Sequence, residues 1–200
     1  MEKDRFDILI VGVGGQGVLL ASEIISEAAI AAGLDVKKSE VHGMSQRGGI
    51  VSSHVRLAPK VYSPTIQLGR ADFIMAFEQA EGLRALNWMK PEGIAIVSTT
   101  TLVPAIVTSS KEFEYPEDAI DQMKAKADNV IVVEADRIAG ELGNPRLVNT
   151  ILLGVLSSLL PFERDIWLQT IRKKVKERFV EVNLKAFERG EQIQQGTVAT

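Results

Sequence analysis

Two hundred residues, 46% of them hydrophobic, suit one domain of ordinary size with a sizeable core. A formal net charge of −3 argues against general nucleic-acid binding. The chain has no cysteine, which excludes disulfides, thiolate-held iron–sulfur clusters and cysteine nucleophiles, and its two histidines are poor material for a zinc site.

The chain opens on the charged run Met1-Glu2-Lys3-Asp4-Arg5, which has no secretory pattern. No apolar stretch reaches the ~18 residues of a membrane span. The expectation is a cytoplasmic protein. Ile8-Leu9-Ile10-Val11 then reads as a strand buried on both faces. Gly12-Val13-Gly14-Gly15-Gln16-Gly17 follows at once and matches Gly-x-Gly-x-x-Gly. Val18 to Ala32 gives a strongly apolar helix, stopped at Gly33. A strand, a glycine turn and a helix N-terminus form an anion-binding arrangement. The same residues also describe a tight turn that holds no ligand. A Walker loop is excluded, because Val18 stands where its lysine belongs.

Asp35 to Val41 predicts the second strand, and Glu40 stands where a dinucleotide site places its ribose-binding acid. Lys37 and Lys38 suit a ribose phosphate instead. A dehydrogenase also needs a proton relay. Neither Tyr62 nor Tyr115 has a lysine four residues later, and His54 alternates with Ser52 and Arg56 on a polar strand face, which predicts a surface or interface histidine. An independent NAD(P)- or flavin-binding oxidoreductase is the alternative that rests on the glycines.

Gly49 to Leu57 predicts a β-branched strand that, joined to its predecessor by only a loop, is placed to pair antiparallel. Tyr62-Ser63-Pro64 is a turn. Phe73 to Phe77 is a strand, ending in Glu78-Gln79 at the top of a helix with Leu83 and Leu86. Lys90 to Gly93 reads as a turn before the buried strand Ile94 to Val97. Residues 99 to 117 are irregular. A short helix over Asp118 to Ala127 leads to the strand Val130 to Val133. Pro145 to Leu160 predicts a helix that is apolar almost all round, interrupted by Asn149, Thr150, Ser157 and Ser158 and buried in the chain's own core or under a partner. Gly154 allows close packing there. Residues 163 to 189 predict a last helical region with a stripe from Trp167 to Ala186. Its other face, Arg172, Lys173, Lys174, Lys176 and Arg178, reads as solvated, or as a dock for an acidic partner surface or a polyphosphate. The expected architecture is α/β: an open, doubly wound, Rossmann-like and mostly parallel sheet with C-terminal helices. One domain is expected over residues 1–190, with a frayed polar tail at 191–200.

A second glycine-punctuated loop, His42-Gly-Met-Ser-Gln-Arg-Gly-Gly49, follows the second strand. Ser45 and Gln46 offer hydrogen bonds, Arg47 offers a planar fork for carboxylate or phosphate, and Gly48 and Gly49 allow sharp bends. In a parallel sheet both loops reach the carboxyl edge, where ligands of open α/β sheets bind.

Val11 to Val18 together with Glu40 to Gly49 resembles the gamma-type domain of 2-oxoacid:ferredoxin oxidoreductases, and is most similar to the small subunits that act on indolepyruvate. The likeness continues through Ala71 to Glu78, Gly93 to Val97, Asn149 to Gly154 and Val182 to Gly190. The resemblance implies a large partner subunit that holds thiamine diphosphate and iron–sulfur clusters. It implies oxidative decarboxylation of arylpyruvates to acyl-coenzyme A, with electrons passed to ferredoxin. It implies that Gly12, Gly14, Gly15, Gln16, Gly17, Ser45, Gln46, Arg47, Gly48 and Gly49 face the partner and coenzyme A. It identifies no catalytic base on this chain. An isolated chain is then expected to be inactive, and to self-associate through surface that its partner covers.

Overall fold

The computed structural model describes residues 5–42, 49–102 and 115–198. Strand β1 (Phe6–Val13) is buried almost throughout and is followed by helix α1 (Val18–Ala31). β2 (Asp35–His42) and β3 (Ile50–Ala58) form a hairpin, with Asp35 opposite Ala58 and His42 opposite Val51. β4 (Ala71–Ala76), α2 (Gln79–Ala85), β5 (Met89–Ser98), α3 (Ala119–Lys126), β6 (Val130–Val133) and α4 (Ala135–Glu141) continue the alternation. Helices α5 (Val148–Ser157), α6 (Arg164–Lys174) and α7 (Val180–Val198) follow.

The six strands lie in the order β2-β3-β1-β4-β5-β6. β1, β4, β5 and β6 pair in parallel, and β3 runs antiparallel to both β1 and β2. The span from His42 to Ile50 is too short for a parallel crossover, which takes a dozen residues or more, so β3 turns back as a hairpin. Strand alternation divides the core in two. Ile8 and Ile10 face α1 and the three last helices; Leu9 and Val11 face α2 and α3.

All ten residues of α5 are buried. That settles the apolar helix in the chain's own core. Gly154 on α5 and Gly190 on α7 bring the two backbones together: a methyl group built on either would overlap a carbonyl oxygen of the other helix, Phe187 or Ile151. The predicted last helical region is broken. Val175 is extended and a 3-10 turn spans Glu177–Phe179, so α6 and α7 pack as separate helices. Helix α7 runs on to Val198, into the segment expected to fray, and Arg164 pairs with Glu191 at 2.9 Å. Lys90 to Gly93 is strand rather than turn, with a register shift beside it between Ala71 and Phe73. Lys174 is not simply solvated. It joins α6 to α1 through Glu23 at 3.0 Å and Glu27 at 2.9 Å.

His54 is also not a surface residue. It is 6% exposed, its Nδ1 accepts the Ile66 amide at 3.3 Å, and its ring meets Trp88 edge-on at 5.1 Å between centroids. Burial holds its pKa below the ordinary value. The unfolded chain therefore takes up a proton at about pH 6.5 that the folded chain resists. Stability contributed by neutral His54 is complete above that pH and is lost as pH falls through it. Wild-type protein is expected to lose melting temperature between about pH 7 and pH 5 more steeply than His54→Gln. Equal slopes in thermal melts across that window would contradict the assignment.

Candidate functional site

The site forms where the glycine turn leaves β1. Helix α1 packs on one face of the sheet and α2 on the other, so the winding reverses between β1 and β4. The crevice of an open α/β sheet lies at such a reversal, outside the carboxyl ends of the strands. Gly17 caps α1 in a left-handed conformation, φ +87°, with no side-chain cap and no acidic residue in the first turn. That leaves the positive end of the helix dipole suited to an anion. Gly15, at φ +98°, has open space where a side chain would project.

The six residues of the turn divide by role. Gln16 reaches across the reversal. Its Oε1 accepts the Val13 amide at 2.7 Å and its Nε2 donates to the Phe77 carbonyl at 2.8 Å. Gln16, expected to face the partner and coenzyme A, also has an internal role, tying the end of β1 to the end of β4. Gly12 serves that tie. A Cβ there would stand 2.8 Å from Gln16 Oε1 and 3.1 Å from both Phe77 and Val18. Gly14 donates its amide to the Gly49 carbonyl at 2.9 Å, so the first loop touches the end of the second. Gly15 is exposed and Gly17 partly exposed at the surface of the turn. Ser45, Gln46, Arg47 and Gly48 lie outside the described residues.

Residues with no site role expected from the sequence complete the edge. Asn149, at the start of α5, packs against the turn: a Cβ on Gly17 would lie 2.6 Å from its Nδ2. Behind it, Thr150 donates to Asn183 Oδ1 at 2.7 Å, and Asn183 donates to the Phe179 carbonyl at 2.8 Å. The signal in the sequence was the polar pair interrupting an apolar helix. On the other side, Glu78 is 1% exposed and caps α2 by accepting the Glu81 amide at 2.9 Å. Its second oxygen accepts the Leu102 amide at 3.4 Å and the Tyr115 hydroxyl. Burial and this carboxylate push the Tyr115 phenol up to about 12. Burial also raises the pKa of Glu81, against the pull of Arg84 at 2.6 Å. Gln79 donates to Thr101 Oγ1 at 2.7 Å, and its amide to the Thr100 carbonyl at 3.1 Å.

Glu40 pairs with Lys38 at 3.1 Å. A cavity of about 1090 Å³ lies at the opposite, amino edge of the sheet. Five of its charged residues pair with one another: Asp7 holds Arg56 at 2.8 Å and Arg5 at 3.2 Å, and Asp72 holds Lys90. Among the described residues no group of His, Cys, Asp and Glu is arranged to hold a metal ion. With no cysteine in the chain, thiolate ligation of an iron–sulfur cluster has no ligands here.

The family model for pyruvate ferredoxin/flavodoxin oxidoreductase matches residues 7–193. The chain belongs to the pyruvate ferredoxin/flavodoxin oxidoreductase family. Within this family it is 38% identical over 190 residues to the indolepyruvate oxidoreductase subunit IorB of Archaeoglobus fulgidus, covering 93% of this chain and 94% of that one. It is 35% identical to the IorB subunit of Methanothermobacter thermautotrophicus, over 93% and 96%. The fold matches the keto/oxoacid ferredoxin oxidoreductase gamma subunit of Geobacter sulfurreducens with a TM-score of 0.70 at 23% identity, over 96% of this chain and 99% of that chain. It also matches, with a TM-score of 0.74 at 22% identity, 32% of the chain of a Magnetococcus marinus 2-oxoglutarate:ferredoxin oxidoreductase that has coenzyme A bound; the match covers 98% of this chain. These likenesses bear out the expected family and fold. The alternative of an independent NAD(P)- or flavin-binding enzyme finds no support in them.

Proposed function

We propose that this chain is the small subunit of an indolepyruvate (arylpyruvate):ferredoxin oxidoreductase. The carrying observation is its 34–38% identity, over 93% of its length, to four IorB subunits. In this reading the complex oxidatively decarboxylates 2-oxo acids to acyl-coenzyme A and passes electrons to ferredoxin in the cytoplasm. Thiamine diphosphate and the iron–sulfur clusters reside on the large partner subunit, which suits a chain without cysteine. This chain supplies one wall of the coenzyme A site and is inactive alone. No helix among the described residues is long and apolar enough to cross a membrane.

The rim of the site supports a covering partner. Leu19 at the start of α1, Val41 at the end of β2 and Ile50 at the start of β3 are 40%, 56% and 45% exposed. Apolar surface around a polar turn is characteristic of an interaction site. It also accounts for the expected self-association of an isolated chain. Gly15, Gly17 and Arg47 are the residues assigned here to coenzyme A, whose phosphates suit an uncapped helix N-terminus and a guanidinium fork.

The site assignment is tested with Arg47→Ala in the assembled complex. Loss of one charge-assisted contact is expected to raise the KM for coenzyme A about tenfold, with subunit association intact. Unchanged coenzyme A affinity and unchanged assembly would reduce the second loop to scaffold.

A further inference from the structure

We propose that Glu78 is a positioning residue for the carboxyl-edge site, a buried carboxylate that sets the spacing of three strand exits around the glycine turn. This inference rests on the reading of that edge as the coenzyme A wall.

A carboxylate at 1% exposure is costly unless donors surround it. Glu78 collects donors from three elements: the Glu81 amide in α2, the Leu102 amide after β5, and the Tyr115 hydroxyl ahead of α3. Capping α2 does not by itself call for glutamate. Helix caps favour the shorter Ser, Thr, Asp and Asn, any of which satisfies a first-turn amide. The additional methylene lets one carboxylate cap the helix with Oε2 while Oε1 reaches Leu102 and Tyr115. The residue before it, Phe77, offers the carbonyl that holds Gln16, and Gln16 in turn holds the Val13 amide at the start of the turn. The residue after it, Gln79, holds Thr100 and Thr101. A shift of Glu78 is therefore transmitted along a continuous hydrogen-bonded chain to the turn that presents Gly15 and Gly17. Glu78 touches no reacting atom; it acts through Phe77, Gln16 and Tyr115.

Glutamine keeps the shape but replaces one acceptor oxygen with a donor, so either the α2 cap or the Leu102 and Tyr115 side loses its acceptor. Two measurements test the proposal. The first is an ultraviolet pH titration of the isolated chain in a Tyr62→Phe background, where Tyr115 is the single tyrosine. Glu78→Gln is expected to bring the Tyr115 ionisation down from about 12 toward the ordinary tyrosine range. The second is steady-state kinetics of the complex with its large subunit. Glu78→Gln is expected to raise the KM for coenzyme A about tenfold with kcat within about twofold, Tyr115→Phe is expected to raise it less, and Glu78→Asp to restore part of the loss. An unmoved titration would overturn the geometry. A shifted titration with both kinetic constants at wild-type values would leave Glu78 a helix cap and overturn the positioning role. If Glu78→Gln does not fold, Tyr115→Phe decides, and an unchanged KM there overturns the proposal equally. A wild-type complex whose activity ignores coenzyme A would instead overturn the functional reading, and the tyrosine titration would still report on the Glu78 contact.

Discussion

Replacing Gly154 with alanine is expected to destabilise the protein by about 3 kcal/mol, because overpacking a close backbone contact leaves no side chain able to yield. That corresponds to a melting temperature lower by roughly 6–12 °C for a chain of this size. The new methyl would overlap the Phe187 carbonyl and stand 3.0 Å from both the Glu191 amide and Gly190 Cα. Every one of these neighbours is helix backbone. Relief would require α5 and α7 to separate, and α5 is buried on every side, with Trp167 and Phe187 packed in the same core. Gly140→Ala provides the contrast. Gly140 lies inside α4 with open space around it, so alanine there is expected to stabilise by up to about 1 kcal/mol through helix propensity. Thermal melts of the two variants moving in opposite directions are the expected result. A Gly154→Ala variant that melts with wild type would contradict the close helix crossing.

The second large effect is expected at Gly17. Alanine there must adopt φ +87°, at a cost of about 1–2 kcal/mol for an L-residue. Its methyl would also lie 2.6 Å from Asn149 Nδ2, displacing a side chain whose Oδ1 accepts the Thr150 amide. Gly17→Ala is therefore expected to destabilise by about 2–3 kcal/mol and to raise the KM for coenzyme A at least about tenfold in the complex. Asn149→Ala in the same chain removes the collision but not the backbone strain. The double variant is expected to recover part of the stability, a positive coupling between the sites. Gly15→Ala separates strain from contact, since its left-handed φ of +98° is matched by open space. It is expected to cost less stability than Gly17→Ala while still raising the KM, because the proposed function puts coenzyme A against that open space. Additive stabilities for Gly17→Ala and Asn149→Ala would contradict the contact between turn and helix.

Local pattern made the first unit readable. A both-faces-buried strand, three spaced glycines and an apolar helix are adjacent in sequence, and they fold adjacent in space. The short span from His42 to Ile50 likewise announced the antiparallel β3. What stayed hidden depends on partners remote in sequence. Gln16 looks like a loop residue until Phe77, from the next parallel strand, closes over it. His54 alternates with polar residues, yet the segment carrying Ile66 and the ring of Trp88 cover that face. The stripe from Trp167 to Ala186 keeps helical spacing straight through the break at Val175, because periodicity records which residues are buried and not whether the backbone between them is continuous. The polar composition after Gly190 suggests fraying, but Gly190 against α5 and Glu191 against Arg164 anchor the helix that carries it. Asn149 and Thr150 read as interruptions because the residue that Thr150 bonds, Asn183, comes from another helix.

In the proposed function this chain completes an enzyme whose redox centres lie elsewhere. The most direct measurement is arylpyruvate-dependent reduction of ferredoxin by the purified chain, by its large subunit, and by the two mixed, each with and without coenzyme A. No turnover is expected from this chain, full turnover only from the mixture, and that turnover is expected to depend on coenzyme A. Full activity from the large subunit alone, or a mixture that neither associates nor turns over, would contradict it.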